Sequence, residues 1–238
     1  MTGNDHTGTE SGGLPPIKPV PFTVDALKYG FTSFYKVGSG LWVLAVIFFL
    51  FNMVTARGPA RFDTGEHSVF VTLVIVLIAL LGQFLITMCI FVAGLKLGLM
   101  AYEKGTCAIS DLGEVLPQAR TLLTAILIAI LCYLPGVLVL AVPVFGLLGI
   151  AWFIFFATKL FPYFFIIIDK NMEALIAFNF SFRTTEGYFW PVALFVVASG
   201  LINIVGTLLF GLGVLISFPV TVLAATHAYR ELDSGKAA

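Results

Sequence analysis

GYFWPVALFVVASGLINIVGTLLFGLGVLISFPVTVLAATHAY, residues 187–229, runs for 43 residues without one Asp, Glu, Lys or Arg. A helix that crosses a bilayer needs about 20 apolar residues, so this run holds two crossings. Gly211-Leu212-Gly213 offers the turn between them, which predicts helices near 190–209 and 213–230. The same reading extends outward. Residues 121–158 form a 38-residue charge-free run in which Pro135-Gly136 and Pro143 supply the break, giving helices near 121–140 and 144–166. Residues 37–56 and 68–95 supply one crossing each, the second long enough to tilt or to project beyond the bilayer. The runs are far longer than a membrane β-strand and lack period-two alternation, so all are read as helices.

Composition agrees. Of the 238 residues, 59% are hydrophobic and 11% charged, against about 45–50% and about 25% in soluble domains. Mean hydropathy is +1.03. A soluble fold of this length could not hide that apolar surface, so the lipid bilayer is the expected partner. Thirteen basic and thirteen acidic residues balance, which argues against nucleic acid, since phosphate binding needs a basic excess.

Four segments follow: a disordered cytoplasmic tail over 1–20, an amphipathic interfacial helix over 22–36, a six-helix transmembrane domain over 37–232 and a cytoplasmic tail over 233–238. The tail is rich in Gly, Thr, Ser and Pro without apolar periodicity. It shows no signal-peptide pattern, so the first span is expected to act as an uncleaved anchor. In the 22–36 helix Thr23 is the expected cap, and Leu27, Phe31, Phe34 and Tyr35 form the apolar stripe. A second amphipathic helix is expected over 171–185, with Met172, Leu175, Ile176 and Phe182 on its apolar side. It either lies along the inner leaflet or is partly buried under the bundle. The fold class is thus an all-α membrane protein with six transmembrane helices plus two amphipathic interfacial helices.

Orientation comes from the basic residues. With six spans and the N-terminus inside, eleven Lys and Arg fall on the inner side, and only Arg57 and Arg61 fall outside. That bias predicts cytoplasmic N- and C-termini.

The stretch IIIDKNMEALIAFNFSFRTTEGYFW, residues 166–190, resembles the signature of a widespread bacterial group of six-helix membrane proteins of unknown function. Asp169 opens it, followed by Ala177, Ser181, Thr185, Gly187 and Trp190, with Phe178 where the group usually has Leu. PVTVLAATHAYREL, residues 219–232, resembles the group's last helix, which closes on Ala-Tyr-Arg-x-Leu. DALKYGFTSFYK, residues 25–36, resembles its entry helix. Similar modules resemble the membrane part attached to some glycerophosphodiester phosphodiesterases. These residues carry no phosphodiesterase catalytic portion, so the activity does not transfer. The resemblance spans 22–232 and implies a fold and a bacterial inner (cytoplasmic) membrane location rather than a reaction.

Four residues are the weak functional candidates: Lys159, Asp169, Asn203 and His227. Lys159 is the basic residue set deepest in a span, and an intramembrane charge is a functional hypothesis by default. The competing reading lets its stem snorkel to the inner interface. A buried partner would have to come from a helix end such as Glu103 or Asp169. Asn203, with Asn52 and Gln83, either lines a path or bonds across helices. Ser199, Asn203 and Gly206 share one helix face, and Ser217, Thr221 and Ala225 share one face of the next, as small stripes that let helices approach. Gly94 and Gly98 form a similar pair, for a dimer or an intrachain contact. His227 reads as an interfacial hydrogen-bonding residue. Asp169, Glu173, Arg183 and Glu186 form the one acidic and basic set that an enzyme could use, and read as the wet edge of a helix. Cys89 and Cys132 are expected to be buried, and Cys107 to lie in a polar loop. No metal or cofactor motif is present. A non-enzymatic envelope-associated or assembly component is the expectation. A small transporter or transporter subunit is the alternative, and a membrane-embedded enzyme has no support. Other membrane proteins or a second copy of the chain stay open as partners.

Overall fold

The computed structural model describes residues 19–37, 39–56, 69–140, 145–208 and 212–235. The tail before residue 19, the outside segment with Arg57, Arg61 and His67, and Pro143, Gly211 and Lys236 lie outside the described residues. Among those described, the chain is helical without a strand. Its elements are α1 (Pro19–Ser33), α2 (Ser39–Ala56), α3 (Val69–Lys104), a 3-10 segment (Ile109–Gln118), α4 (Ala119–Leu140), α5 (Gly146–Lys159), α6 (Tyr163–Lys170), α7 (Ala174–Thr184), α8 (Phe189–Leu208) and α9 (Val214–Ser234).

Four described segments are long and apolar enough to cross a membrane: Gly82–Lys104, Arg120–Val139, Gly146–Lys170 and Phe189–Leu208. The apolar part of α2, Ser39–Met53, is shorter. Helix α9 falls outside this set because its last turns carry His227, Arg230, Glu231 and Asp233.

Helix α9 is the axis of the bundle. It packs against α1, α2, α3 and α8, and its side chains enter all three apolar cores. Tyr229 joins the core built from α3, α4, α6 and α7. Phe218, Val222 and Leu223 join the core with α2 and α3. Ala224, Ala228 and Leu232 join the core with α1 and α8. Small residues make these approaches close. A Cβ at Gly98 would stand 2.5 Å from Thr226 Oγ1, and one at Gly94 would stand 3.0 Å from Phe218, so this glycine pair serves an intrachain α3–α9 contact. A Cβ at Gly30 would collide with the Val220 carbonyl oxygen.

Several expectations change. Helix α1 starts at Pro19, so Pro19 and Val20 leave the tail and Thr23 is a buried helix residue rather than a cap. Its buried face is Phe22, Ala26 and Gly30, while Phe31 and Tyr35 point outward. Phe31 and Tyr35 lose the contest because only the small Ala26 and Gly30 allow α1 to seat on α9. The span expected over 144–166 is two helices broken at Leu160–Pro162, since Pro162 has no N–H with which to continue the ladder. Helix α6 then runs on to Lys170 and ends at Asn171 in the left-handed conformation, φ 52°. That turn delays α7 to Ala174, past the expected start at 171. The face that α7 buries is Ala174, Ala177, Ser181 and Thr184, with Leu175 and Ile176 outward. Small residues again win the contact.

Cysteines also differ. Cys89 is exposed on the bundle's flank. Cys107 is buried, with its carbonyl accepting the Gly40 N–H at 3.2 Å. Burial pushes the Cys107 thiol up from its ordinary value, which leaves it a poor nucleophile.

Candidate functional site

Asp169 sits in the last turn of α6. A carboxylate there faces the negative end of the helix dipole, an unfavourable place unless a cation answers it. Arg230 of α9 answers it in bidentate form. Its Nη1 donates to Asp169 Oδ2 at 3.1 Å and its Nη2 to Asp169 Oδ1 at 3.0 Å. The Tyr229 hydroxyl donates to Oδ2 at 2.9 Å, while the Tyr229 ring stacks on Phe165 at 4.8 Å. Arg230 Nη2 also donates to Glu103 in the last turn of α3. One guanidinium therefore joins the ends of α3, α6 and α9. The planar fork suits two carboxylates in a way an ammonium would not. Beside it, Lys170 Nζ donates to Asp233 Oδ1 at 2.6 Å and stands 5.0 Å from the Phe180 ring.

His227 lies one turn before Glu231, with Nε2 3.5 Å from its carboxylate. The imidazole stacks on Tyr29 of α1 at 4.7 Å and lies 6.1 Å from Tyr102 of α3. Its buried Nδ1 has no hydrogen-bond partner among the described residues. Among the described residues no cluster of three His, Cys, Asp or Glu could hold a metal ion.

Lys159 is elsewhere. Its carbonyl accepts the Ser181 hydroxyl at 2.6 Å, which pins α7 to the end of α5. Its Nζ lies 5.7 Å from the Phe182 ring and 6.0 Å from the Phe189 ring. None of the ion pairs among the described residues includes it. Glu103 and Asp169, the acids considered for Lys159, both go to Arg230 instead.

Asn203 Nδ2 donates to the Ser199 carbonyl at 3.0 Å and to Thr221 Oγ1 at 3.4 Å, so it joins α8 to α9. The small stripes meet there, since a Cβ at Gly206 would stand 2.6 Å from Ser217 Oγ. Asn52 bonds back to the Phe48 carbonyl at 2.8 Å.

Of the four candidates, the structure brings Asp169 and His227 to the same end of the bundle and leaves Lys159 and Asn203 apart. Arg230 and Tyr229 were missed as partners of Asp169, and Glu103 as the second carboxylate on Arg230. The signal was present, because Asp169 opens one quoted motif and Tyr229-Arg230 closes the other. No protein family, characterised protein or solved structure matches this chain.

Proposed function

We propose that this chain is a non-enzymatic, six-span protein of the bacterial inner membrane, with both termini cytoplasmic, serving as an envelope-associated or assembly component. The proposal includes membership of the six-helix group that residues 166–190 resemble. The six spans are α2, α3, α4, α5 with α6, α8 and α9. Helix α9 fits among them despite its polar end because its neighbours are helices rather than lipid. One observation carries the functional reading: several polar side chains of the bundle are spent on contacts that join one helix to another. Asp169, Glu103 and Arg230 join three helices, Asn203 joins α8 to α9, and Ser181 joins α7 to α5. Such bonds act as glue between helices.

The test is single-cysteine accessibility in intact cells. Positions 57–67 should label from outside, and 103–118 and 233–238 only after permeabilisation. Outside labelling at the C-terminus would overturn the six-span reading.

A second reading, transport, rests on the broken span. Tyr163 begins α6 just after the break, is fully buried, and its hydroxyl has no partner among the described residues. Transporters place substrate groups at such discontinuities. Tyr163→Phe separates the readings. If the hydroxyl has no job, the variant matches or slightly exceeds wild-type stability and complements a deletion strain. Loss of complementation with stability kept would favour transport.

A further inference from the structure

Arg230, Lys170 and Lys159 differ in what answers their charge. Arg230 and Lys170 are each neutralised by carboxylates of the same chain. Lys159 is half-buried, has no ion pair among the described residues, and is held between two aromatic rings. Its backbone is fixed by the Ser181 bond, so the amine is presented at the junction of α5, α7 and α8.

The surface beside it is aromatic and open. Phe189 packs on Phe155 at 5.9 Å and on Trp190 at 5.5 Å. Phe155 is 41% exposed and Trp190 75%. A fixed cation bordered by exposed rings is an amphipathic seat, with a place for negative charge at one edge and for hydrocarbon at the other. Indole side chains favour the headgroup level of a bilayer, and the Lys159 amine stands beside Phe189, the first residue of the α8 span, where its stem reaches that level.

We propose that Lys159, Phe182, Phe189, Phe155 and Trp190 form a binding site for an anionic phospholipid of the inner leaflet. The lipid phosphate pairs with Lys159 Nζ, and the upper acyl chain lies along Phe155 and Trp190. A free phosphate would gain the charge contact alone, so the exposed rings select a lipid. The proposal rests on the membrane reading above, with the start of α8 at the inner headgroups.

The test uses the full chain purified in a neutral detergent, with thermal unfolding followed on adding phosphatidylglycerol, phosphatidylcholine or inorganic phosphate. Phosphatidylglycerol should raise the melting midpoint by roughly 2–4 °C, the range expected of modest binding energy in a chain of this size. Phosphatidylcholine should give less than half of that rise, and inorganic phosphate none. Lys159→Met should lose the rise, Lys159→Arg should keep it, and Lys104→Met should leave it unchanged. If Lys159→Met does not fold, Trp190→Ala serves in its place, with a smaller rise expected while the amine is intact. No rise in the wild type, an equal rise with inorganic phosphate or phosphatidylcholine, or an undiminished rise in Lys159→Met or Trp190→Ala would overturn the site. The accessibility map tests insertion separately, so an intact map without the lipid effect sinks this inference alone.

Discussion

Helices α4 and α9 invert the rule of soluble proteins. Helix α4 is apolar along nearly its whole length, and much of that apolar surface points outward: Leu123, Leu127, Leu131, Leu134 and Leu138 are exposed, Leu131 at 70%. Helix α9 carries His227, Arg230, Glu231 and Asp233, yet buries Val220, Leu223, Ala224, Ala228, Tyr229 and Leu232 almost completely. In a bilayer the helix that faces lipid must be apolar all round, because hydrocarbon offers polar groups no partner. A helix encased by other helices is released from that demand and can carry the polar contacts that set the arrangement. The difference teaches that hydropathy ranks helices by what surrounds them, not by their importance to the fold.

The largest expected effect is at α9. Arg230→Met leaves Asp169 and Glu103 without their cation, and breaking a partly buried charge network should cost about 3 kcal/mol. Denaturation in mixed micelles measures it. A cost below about 0.5 kcal/mol would place α9's end in solvent and break the comparison. Next is the seat of α1 on α9. Gly30→Ala forces α1 off the Val220 carbonyl and should cost about 1–3 kcal/mol by the same assay.

Helix α4 should respond far less. Trp152 Nε1 of α5 donates to the Cys132 carbonyl at 2.9 Å, one turn before Pro135, which α4 runs through rather than breaking at as expected. Trp152→Phe should lose about 0.6 kcal/mol, typical of an interhelical bond in lipid. Leu147→Ala, on the exposed end of α5, should fall within about 0.5 kcal/mol of wild type. A Leu147 effect as large as that of Arg230 would show the α4–α5 hairpin to be buried against something.

Much of the fold was legible because charge-free runs and helical periods are local. The runs at 121–158 and 187–229 mark their helices and the glycines mark close approaches, whereas Pro135 lies inside α4 and not at its break. The facing stripes of Asn203 and Thr221 were legible for the same reason. What local reading could not supply was the polar junction where the ends of α3, α6 and α9 meet. Asp169 and Arg230 stand 61 residues apart, and no periodicity joins them. The helix faces of α1 and α7 were misread for a related cause. Phe31, Tyr35, Leu175 and Ile176 are the more apolar residues, but lipid takes those as readily as a core does. The protein contacts went to Ala26, Gly30, Ala177 and Ser181, whose value is their small size.

The pairing of Asp169 with Arg230 is the contact on which the central role of α9 depends, and a double-mutant cycle measures it directly. Asp169→Asn, Arg230→Met and the double variant would be unfolded under one set of micelle conditions. Direct pairing predicts a coupling of about 1–3 kcal/mol, with the double variant less damaged than the sum of the singles. A coupling within about 0.3 kcal/mol of zero would mean that the two residues do not hold each other, and would contradict the account of α9 as the polar axis of the bundle.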